Sequence, residues 1–167
     1  MARLINLYRG FMQQSKMRIE IDISGQIQQL NYDSALGFWR DNGLEKAVYL
    51  KSTVKKKIIR KYKGQVTNLI EKLHCILIYY CIRDHLDSVN EIKICNDINI
   101  RRLKNLLQLL FKEYSYLNNT KIRIRTGNEQ ESKAHRIALK TFRKRKFANL
   151  LLTEKMIEDV LFEFKRE

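Results

Sequence analysis

Proline is absent from this 167-residue sequence, and glycine occurs only six times. The residues that most often mark turns are therefore scarce, and strand boundaries are weakly defined by the sequence. No repeat, low-complexity tract or Gly/Ser-rich linker divides the chain. The sequence therefore predicts a single domain over residues 1–167, with a core at about 17–145 and an additional C-terminal helix within 150–167.

Cysteine is also rare: Cys75, Cys81 and Cys95 are odd in number and lack the CxxC spacing of zinc and redox sites. We expect free, buried thiols in a reducing compartment. The longest apolar run, Cys75–Ile82, is far shorter than the roughly 20 residues that span a bilayer. The N-terminal residues also lack the apolar core of a secretory signal. Together these absences predict a cytoplasmic protein with no membrane partner.

Negative charge is scarce compared with positive charge, with 18 Asp and Glu against 33 Lys and Arg and a net charge of +15. Because each neutralised phosphate releases condensed counterions, such an excess favours nucleic acid as the partner. Two basic clusters are candidates for phosphate contacts, namely Lys55, Lys56, Lys57, Arg60 and Lys61, and Arg143, Lys144, Arg145 and Lys146. The alternative is an ordinary solvated basic surface.

Hydrophobic periodicity predicts an α/β fold. Apolar residues alternate with period two at Arg18–Ile23, and two more short strands flank the hairpin turn at Asn42-Gly43. Three- and four-residue spacings then predict a long helix at about Gln65–His85. The elements that follow are a strand at Glu91–Cys95, a helix around Leu103–Phe111, a strand at Ile122–Arg125, a helix from about Glu131 to Lys146, and a helix after Thr153.

Strands that are joined through helices usually pair in parallel, whereas the three opening strands form a meander. The sequence therefore predicts a mixed five-stranded sheet whose first three strands are antiparallel, with helices on both faces. Gln26–Tyr32 is a candidate for a further strand arm.

Four short motifs place chemistry-bearing side chains on these elements. The motifs are Ile21-Asp22-Ile23-Ser24-Gly25, Glu71-Lys72-Leu73-His74, Cys95-Asn96-Asp97-Ile98 and Ala134-His135-Arg136-Ile137-Ala138. In this order the motifs resemble those of the ribonuclease H-like fold, which ribonuclease H, retroviral integrases, several transposases, resolvases and the PIWI domain of Argonautes share. The resemblance covers roughly residues 17–145.

The resemblance implies that Asp22, Glu71, Asp97 and His135 are catalytic residues and ligands of Mg²⁺ or Mn²⁺. Ile23 stands where the family has glycine, and His135 stands where it usually has aspartate. A histidine in this position is similar to the third member of the Asp-Asp-His set of PIWI domains. Two hard cations can activate water and stabilise the leaving oxygen in phosphodiester cleavage. Magnesium prefers carboxylate ligands, whereas imidazole suits manganese better.

Each of the four residues also has a structural interpretation. Asp22 is then a solvent-facing charge on an edge strand, and Asp97 is the N-cap of the following helix. Glu71 is a solvated helix residue paired with a nearby lysine, and His135 is a surface or hydrogen-bonded core histidine.

The function that the resemblance implies is a metal-dependent ribonuclease H-like endonuclease that hydrolyses phosphodiester bonds. The expected substrate is the RNA strand of an RNA–DNA hybrid, with other structured duplexes as candidates. One alternative is a non-catalytic nucleic-acid-binding protein on the same fold, since folds outlast particular chemistries. A second alternative is a DNA junction resolvase or an integrase-like enzyme.

Overall fold

The computed structural model describes residues 17–86, 89–95, 99–111, 121–124 and 132–165. The strands in these ranges are β1 (Met17–Ser24), β2 (Ser34–Arg40), β3 (Glu45–Leu50), β4 (Val89–Ile94), β5 (Lys121–Ile124) and β6 (Leu150–Leu151). The helices in the same ranges are α1 (Ser52–Tyr62), α2 (Leu69–Ile82), α3 (Ile100–Leu110), α4 (Lys133–Arg143) and α5 (Glu154–Leu161). Single turns of 3-10 helix at Arg145–Phe147 and Phe162–Lys165 follow α4 and α5.

The strands form one mixed sheet in the order β5-β4-β1-β2-β3-β6. β1, β2 and β3 pair antiparallel, while β4 joins β1, β5 joins β4 and β6 joins β3 in parallel. The predicted α/β class is therefore confirmed, as is a mixed sheet with three antiparallel opening strands. β6 is a sixth strand of only two residues, too short to leave a periodic pattern in the sequence.

β1 lies in the interior of the sheet and separates two kinds of side chain. Ile19, Ile21 and Ile23 are buried and belong to the main hydrophobic core. Glu20 and Asp22 alternate with them and therefore face the opposite side of the sheet. The period-two pattern thus gives β1 an apolar face and a carboxylate-bearing face.

The main core lies between the apolar face of the sheet and a layer of helices. α2 is at the centre of this layer, with 11 of its 14 residues buried, and α3 and α5 pack beside it. Tyr80 of α2 donates a hydrogen bond to the carbonyl of Met156 at 2.9 Å. Ile157 and Leu161 of α5 are fully buried. The C-terminal helix therefore docks on this domain.

Among the described helices, α4 is the one that packs on the other face, across β1, β2 and β3. Its small buried residues Ala134 and Ala138 lie against Gly37 of β2. A Cβ atom at position 37 would lie 2.3 Å from the carbonyl oxygen of Ala134 and 2.6 Å from the amide nitrogen of Ala138. The glycine therefore permits direct contact between the helix backbone and the sheet, and helices lie on both faces as predicted.

Three segments differ from the sequence predictions. α1 was not predicted, because five of its eleven residues are Lys or Arg and obscure the apolar spacing of Val54, Ile58 and Tyr62. Gln26–Tyr32 forms successive turns, with amide-to-carbonyl bonds from Gln29 to Gln26 and from Tyr32 to Gln29, rather than a strand arm. The predicted long helix begins later, at Leu69, after Asn68 adopts a left-handed conformation with φ of 53°.

None of the helices in the described ranges combines the length and the apolar character needed to cross a membrane.

Candidate metal site and basic surface

Asp22 and His135 meet at the junction of β1 and α4. Asp22 pairs with Gly37 of β2 in the sheet, and Asp22 is only 4% exposed. Its Oδ2 lies 3.2 Å from Nδ1 of His135, and its Oδ1 accepts a hydrogen bond of 2.7 Å from the amide of Ile23. The His135 side chain is 32% exposed to solvent. The carboxylate is therefore fixed in orientation, and the imidazole beside it is open to solvent.

The first turn of α4 is held in place by two oxygen acceptors. The hydroxyl of Ser132, the N-cap, accepts a 3.0 Å hydrogen bond from the amide of His135. Oε2 of Glu20 accepts a 3.2 Å bond from the amide of Lys133. Both contacts satisfy amides that have no partner inside the helix, and the carboxylate also favours the positive end of the helix dipole.

Glu20 was missed by the sequence interpretation. Its spacing of two residues from Asp22 is the signal that places both carboxylates on one face of the strand. Glu20 is buried, and its second oxygen lies 3.6 Å from the guanidinium of Arg18. These contacts give Glu20 a structural role in anchoring α4 beside Asp22.

Glu71 has a different partner from the one that the resemblance implies. It lies in the first turn of α2, and its carboxylate forms a hydrogen-bonded ion pair with Arg102 of α3. Across the described residues no group of three or more His, Cys, Asp or Glu side chains is arranged to hold a metal ion. Glu71 therefore does not complete a cluster with Asp22 and His135, and Asp97 lies outside the described residues.

The Asp22–His135 pair has a spacing that suits a shared cation. Two ligands in adjacent positions of an octahedral ion, with bonds of about 2.1 Å, are about 3 Å apart. The 3.2 Å between Asp22 Oδ2 and His135 Nδ1 is close to that value. Magnesium and manganese commonly retain several waters, so the protein supplies only some of their ligands. A carboxylate and an imidazole can be two of these ligands.

The first basic cluster, on α1, contains one residue that is not on the surface. Lys55 was expected to contact nucleic acid, but it is fully buried. Its Nζ donates to the carbonyls of Gln26 and Gln29, at 3.3 and 3.0 Å, and to the Ser34 hydroxyl at 2.8 Å. Burial lowers the pKa of Lys55 to about 8, against an opposing effect of Asp33. The placement of Lys55 among the phosphate contacts was therefore wrong.

Half of the positive charge on the exposed side of α1, two of four cations, is paired with acidic residues of α5. Lys57 Nζ lies 2.8 Å from Glu154, and Lys61 Nζ lies 2.7 Å from Glu158. Glu158 also accepts a hydrogen bond from Tyr62. Lys56 is partly exposed and Arg60 is exposed. The α1 cluster therefore offers a polyanion less uncompensated charge than its sequence suggests.

The second basic cluster continues a stripe of cations along α4. Lys133, Arg136, Lys140 and Arg143 recur at three- and four-residue spacing, and all four are exposed. None of these four forms a salt bridge with an acidic residue of the described ranges. Lys144, Arg145 and Lys146, which were predicted to contact phosphates, extend the stripe on the exposed turn that follows.

The main core also contains buried cysteines and a buried histidine. Within the described ranges they form no group that could hold a metal ion. Cys75, Cys81 and Cys95 are buried, as predicted, and none of the three is joined in a disulfide. Burial raises the pKa of the Cys81 thiol to about 12, so it is a poor nucleophile near neutral pH. His74 is a buried residue of α2, and burial lowers its pKa to about 4. His74 is therefore neutral at pH 7.

Comparison with protein-family models finds no match, and a search of curated proteins finds no significant relative.

Proposed function

We propose that this chain is a metal-dependent endonuclease of the ribonuclease H-like type, with the RNA strand of RNA–DNA hybrids as its first candidate substrate. The contact between Asp22 and His135 carries the proposal. The contact joins β1, an interior strand, to the start of α4. Both of its residues are metal ligands in the set that the resemblance implies. The basic surface of α4 begins at the same helix turn, so a bound phosphate backbone would lie beside the pair.

The sheet topology supports the same proposal. Three antiparallel strands followed by parallel additions on β1, with helices on both faces, agree with the fold that the resemblance implies. Asp97 lies two residues after Cys95 in the sequence, and the amide of Cys95 donates to the carbonyl of Ile21 next to Asp22. This chain connectivity makes Asp97 the candidate for a further ligand, since its position in the sequence is just after β4, the strand beside β1.

In this mechanism, Asp22 and His135 hold Mg²⁺ or Mn²⁺, with Asp97 as the further candidate ligand. The ion would supply Lewis-acid stabilisation of the charge that develops on the phosphate during hydrolysis. Asp22 contributes a carboxylate whose orientation is fixed by the Ile23 amide. Glu20 and Ser132 hold the first turn of α4, which fixes His135 relative to β1. The lysines and arginines of α4 would position the backbone of the substrate.

The deciding experiment compares wild type with Asp22→Asn on labelled RNA–DNA hybrid, double-stranded RNA and branched DNA, in Mg²⁺ or Mn²⁺. Asparagine retains the shape of the side chain and an acceptor for Ile23 but loses the charge that binds a cation. We expect cleavage of the hybrid to fall on the order of 100-fold or more, because loss of outer-shell partners alone costs 10–100-fold. Asp159→Asn, an exposed aspartate on α5, is the matched control.

The Glu71–Arg102 ion pair favours a second candidate function, a non-catalytic nucleic-acid-binding protein on the same fold. A Glu71 carboxylate paired with a guanidinium must give up that partner before it binds a cation, whereas the α4 surface needs no metal to bind phosphates. Salt-sensitive binding of the hybrid by wild type, with equal absence of cleavage in wild type and Asp22→Asn, would identify this second function and reject the nuclease.

A further inference from the structure

The exposed side of α4 and the turn after it form a continuous surface, which we call the α4 strip. It consists of Lys133, Arg136, Lys140, Arg143, Lys146 and Phe147. The four cations of the helix itself lie along its eleven residues, and the first and the last are about 15 Å apart along the helix axis. Each strand of a double helix presents one phosphate per about 3.4 Å, so the strip is long enough to face about four phosphates. Its length therefore suits several consecutive nucleotides.

Phe147 ends the strip with an exposed aromatic ring. The residue is 37% exposed although it is large and apolar. Lys140 Nζ lies 4.1 Å from its ring centroid, and Lys146 Nζ lies 5.4 Å from it. The exposed part of the ring is a stacking surface for a planar base, and the two cations over the ring supply charge for the neighbouring phosphates.

A groove lies between α4 and the β2–β3 hairpin, under the first part of the strip. Its volume is about 430 Å³, and its lining includes Trp39, Glu45, Lys133, Arg136, Ile137 and Lys140. Three cations against one carboxylate make the groove basic. Lys133 Nζ lies 4.1 Å from the ring centroid of Trp39, which positions this cation at the groove. A second pocket, of about 200 Å³, shares Glu45, Ile137 and Lys140 with the groove and reaches Phe147.

We propose that the α4 strip binds a single-stranded segment of nucleic acid, with its cations on successive phosphates and Phe147 stacked on one unpaired base. The choice of nucleic acid rests on the proposed function. An unpaired base is required because a base inside a duplex has both faces covered by its neighbours, whereas a splayed base can stack on a side chain. The strip begins in the first turn of α4, the same turn that carries His135, and ends at Phe147.

The test measures binding of a fluorescent 12-nucleotide RNA in EDTA, so that neither metal nor cleavage enters the result. We expect Phe147→Ala to weaken binding about tenfold, the effect of removing one aromatic stacking partner, and to leave the salt dependence unchanged. Phe147→Trp should retain wild-type affinity. Phe162→Ala is the matched control, since Phe162 is 44% exposed but lies on the other helical layer, against Tyr62.

The charge of the strip is tested separately with Arg136→Gln/Arg143→Gln. Because each phosphate contact on a single strand contributes about 0.7 to the slope of log K against log salt, the slope should fall by about 1.4. Lys57→Gln/Lys61→Gln removes the same charge from α1, where both lysines are paired with glutamates, and should change the slope less. Heparin, which offers negative charge without bases, should respond to the arginine changes and not to Phe147→Ala.

Equal RNA affinity of wild type and Phe147→Ala, or an equal loss in Phe162→Ala, would overturn the proposal. So would the absence of RNA binding by wild type. A Phe147-dependent RNA affinity in a protein that cleaves none of the substrates would retain the α4 strip and reject the nuclease. Cleavage that depends on Asp22 but not on Phe147, with Phe147→Ala unchanged in RNA affinity, would retain the nuclease and reject the α4 strip.

Discussion

Lys55 acts as a central donor for the loop between β1 and β2. Its ammonium group has three N–H donors, and three oxygens from Gln26, Gln29 and Ser34 surround it. Nearby, Asp33 accepts a hydrogen bond from the amide of Ser52 at the start of α1. One buried cation and one carboxylate therefore connect this loop to the first helix.

Replacement of Lys55 by alanine should lower the free energy of unfolding by about 3 kcal/mol, because the buried Ser34 hydroxyl and two partly buried carbonyls lose this donor. Lys56→Ala, at the adjacent and partly exposed position, should stay within about 0.5 kcal/mol of wild type. Urea denaturation at pH 7 measures both. Similar stabilities of the two variants would contradict the buried role of Lys55.

His74 should make the protein less stable in mild acid. Its pKa is lowered by burial to about 4 in the folded protein, from an ordinary value of 6.5. Between these values the unfolded chain binds a proton that the folded protein does not, so stability falls as the pH decreases through this window. The loss reaches about 3 kcal/mol at pH 4.

The measurement is urea denaturation between pH 4 and 7 for wild type and His74→Leu. Leucine does not titrate, so the variant should show a flatter pH profile across this range. His85, whose pKa burial also lowers, contributes equally to both proteins. Parallel profiles would show that His74 is not the group that responds to acid.

At the scale of secondary structure elements, the contact between α4 and β2 determines where the candidate site lies. Gly37 lets the backbone of α4 approach the sheet at the level of Asp22, its pairing partner in β1. Ala134 and Ala138 lie on either side of His135 in the sequence, one helical turn apart. Their backbone contacts with Gly37 therefore fix the distance between the imidazole of His135 and the carboxylate of Asp22.

Gly37→Ala should therefore destabilise the protein, although alanine ordinarily stabilises a strand interior by about 0.5–1 kcal/mol relative to glycine. The added Cβ would meet backbone atoms at 2.3 and 2.6 Å, and the shift this forces should cost about 1–3 kcal/mol. Hydrogen exchange should accelerate in the amides of α4, and urea denaturation gives the energy. A gain in stability would show that α4 does not approach the sheet as described.

Period-two alternation in β1 and the hairpin at Asn42-Gly43 allowed most of the sheet to be predicted from sequence. Gly43 takes the positive φ of 86° that such a turn requires. α1 was missed because helix-forming lysines cover a narrow apolar stripe. The partner of Glu71 could not be predicted, since it depends on how α2 and α3 pack. A spacing pattern placed Asp22 and His135 on suitable elements, but only the tertiary fold gives their separation.

At the scale of the whole molecule, the two sides of the sheet differ in cover and in charge. One side carries α2 with α3 and α5, and the other carries α4 among the described helices. Acidic residues of α5 offset lysines of α1, whereas the cations of α4 face solvent. The net positive charge therefore acts most directly on the side that holds Asp22 and His135.

Docking of α5 should make a large contribution to the stability of the whole domain. Leu161 is fully buried, whereas Leu151 on the edge strand is 44% exposed. We expect Leu161→Ala to lower the free energy of unfolding by about 2–5 kcal/mol and Leu151→Ala by less than about 1 kcal/mol. Thermal and urea denaturation of this leucine pair measure the difference. An equally small effect at both positions would indicate that α5 is not part of the cooperative core.

The alternation along β1 also bears on how this protein can change during evolution. Substitutions at positions 20 and 22 alter the side that faces α4, while the isoleucines at positions 19, 21 and 23 maintain the core on the other side. New ligands or charges on the α4 side therefore leave the packing of these isoleucines in place, while a change at Glu20 also removes an anchor of α4. An insertion or deletion of a single residue within the strand has the opposite effect, because it exchanges the two sides and removes core and site together.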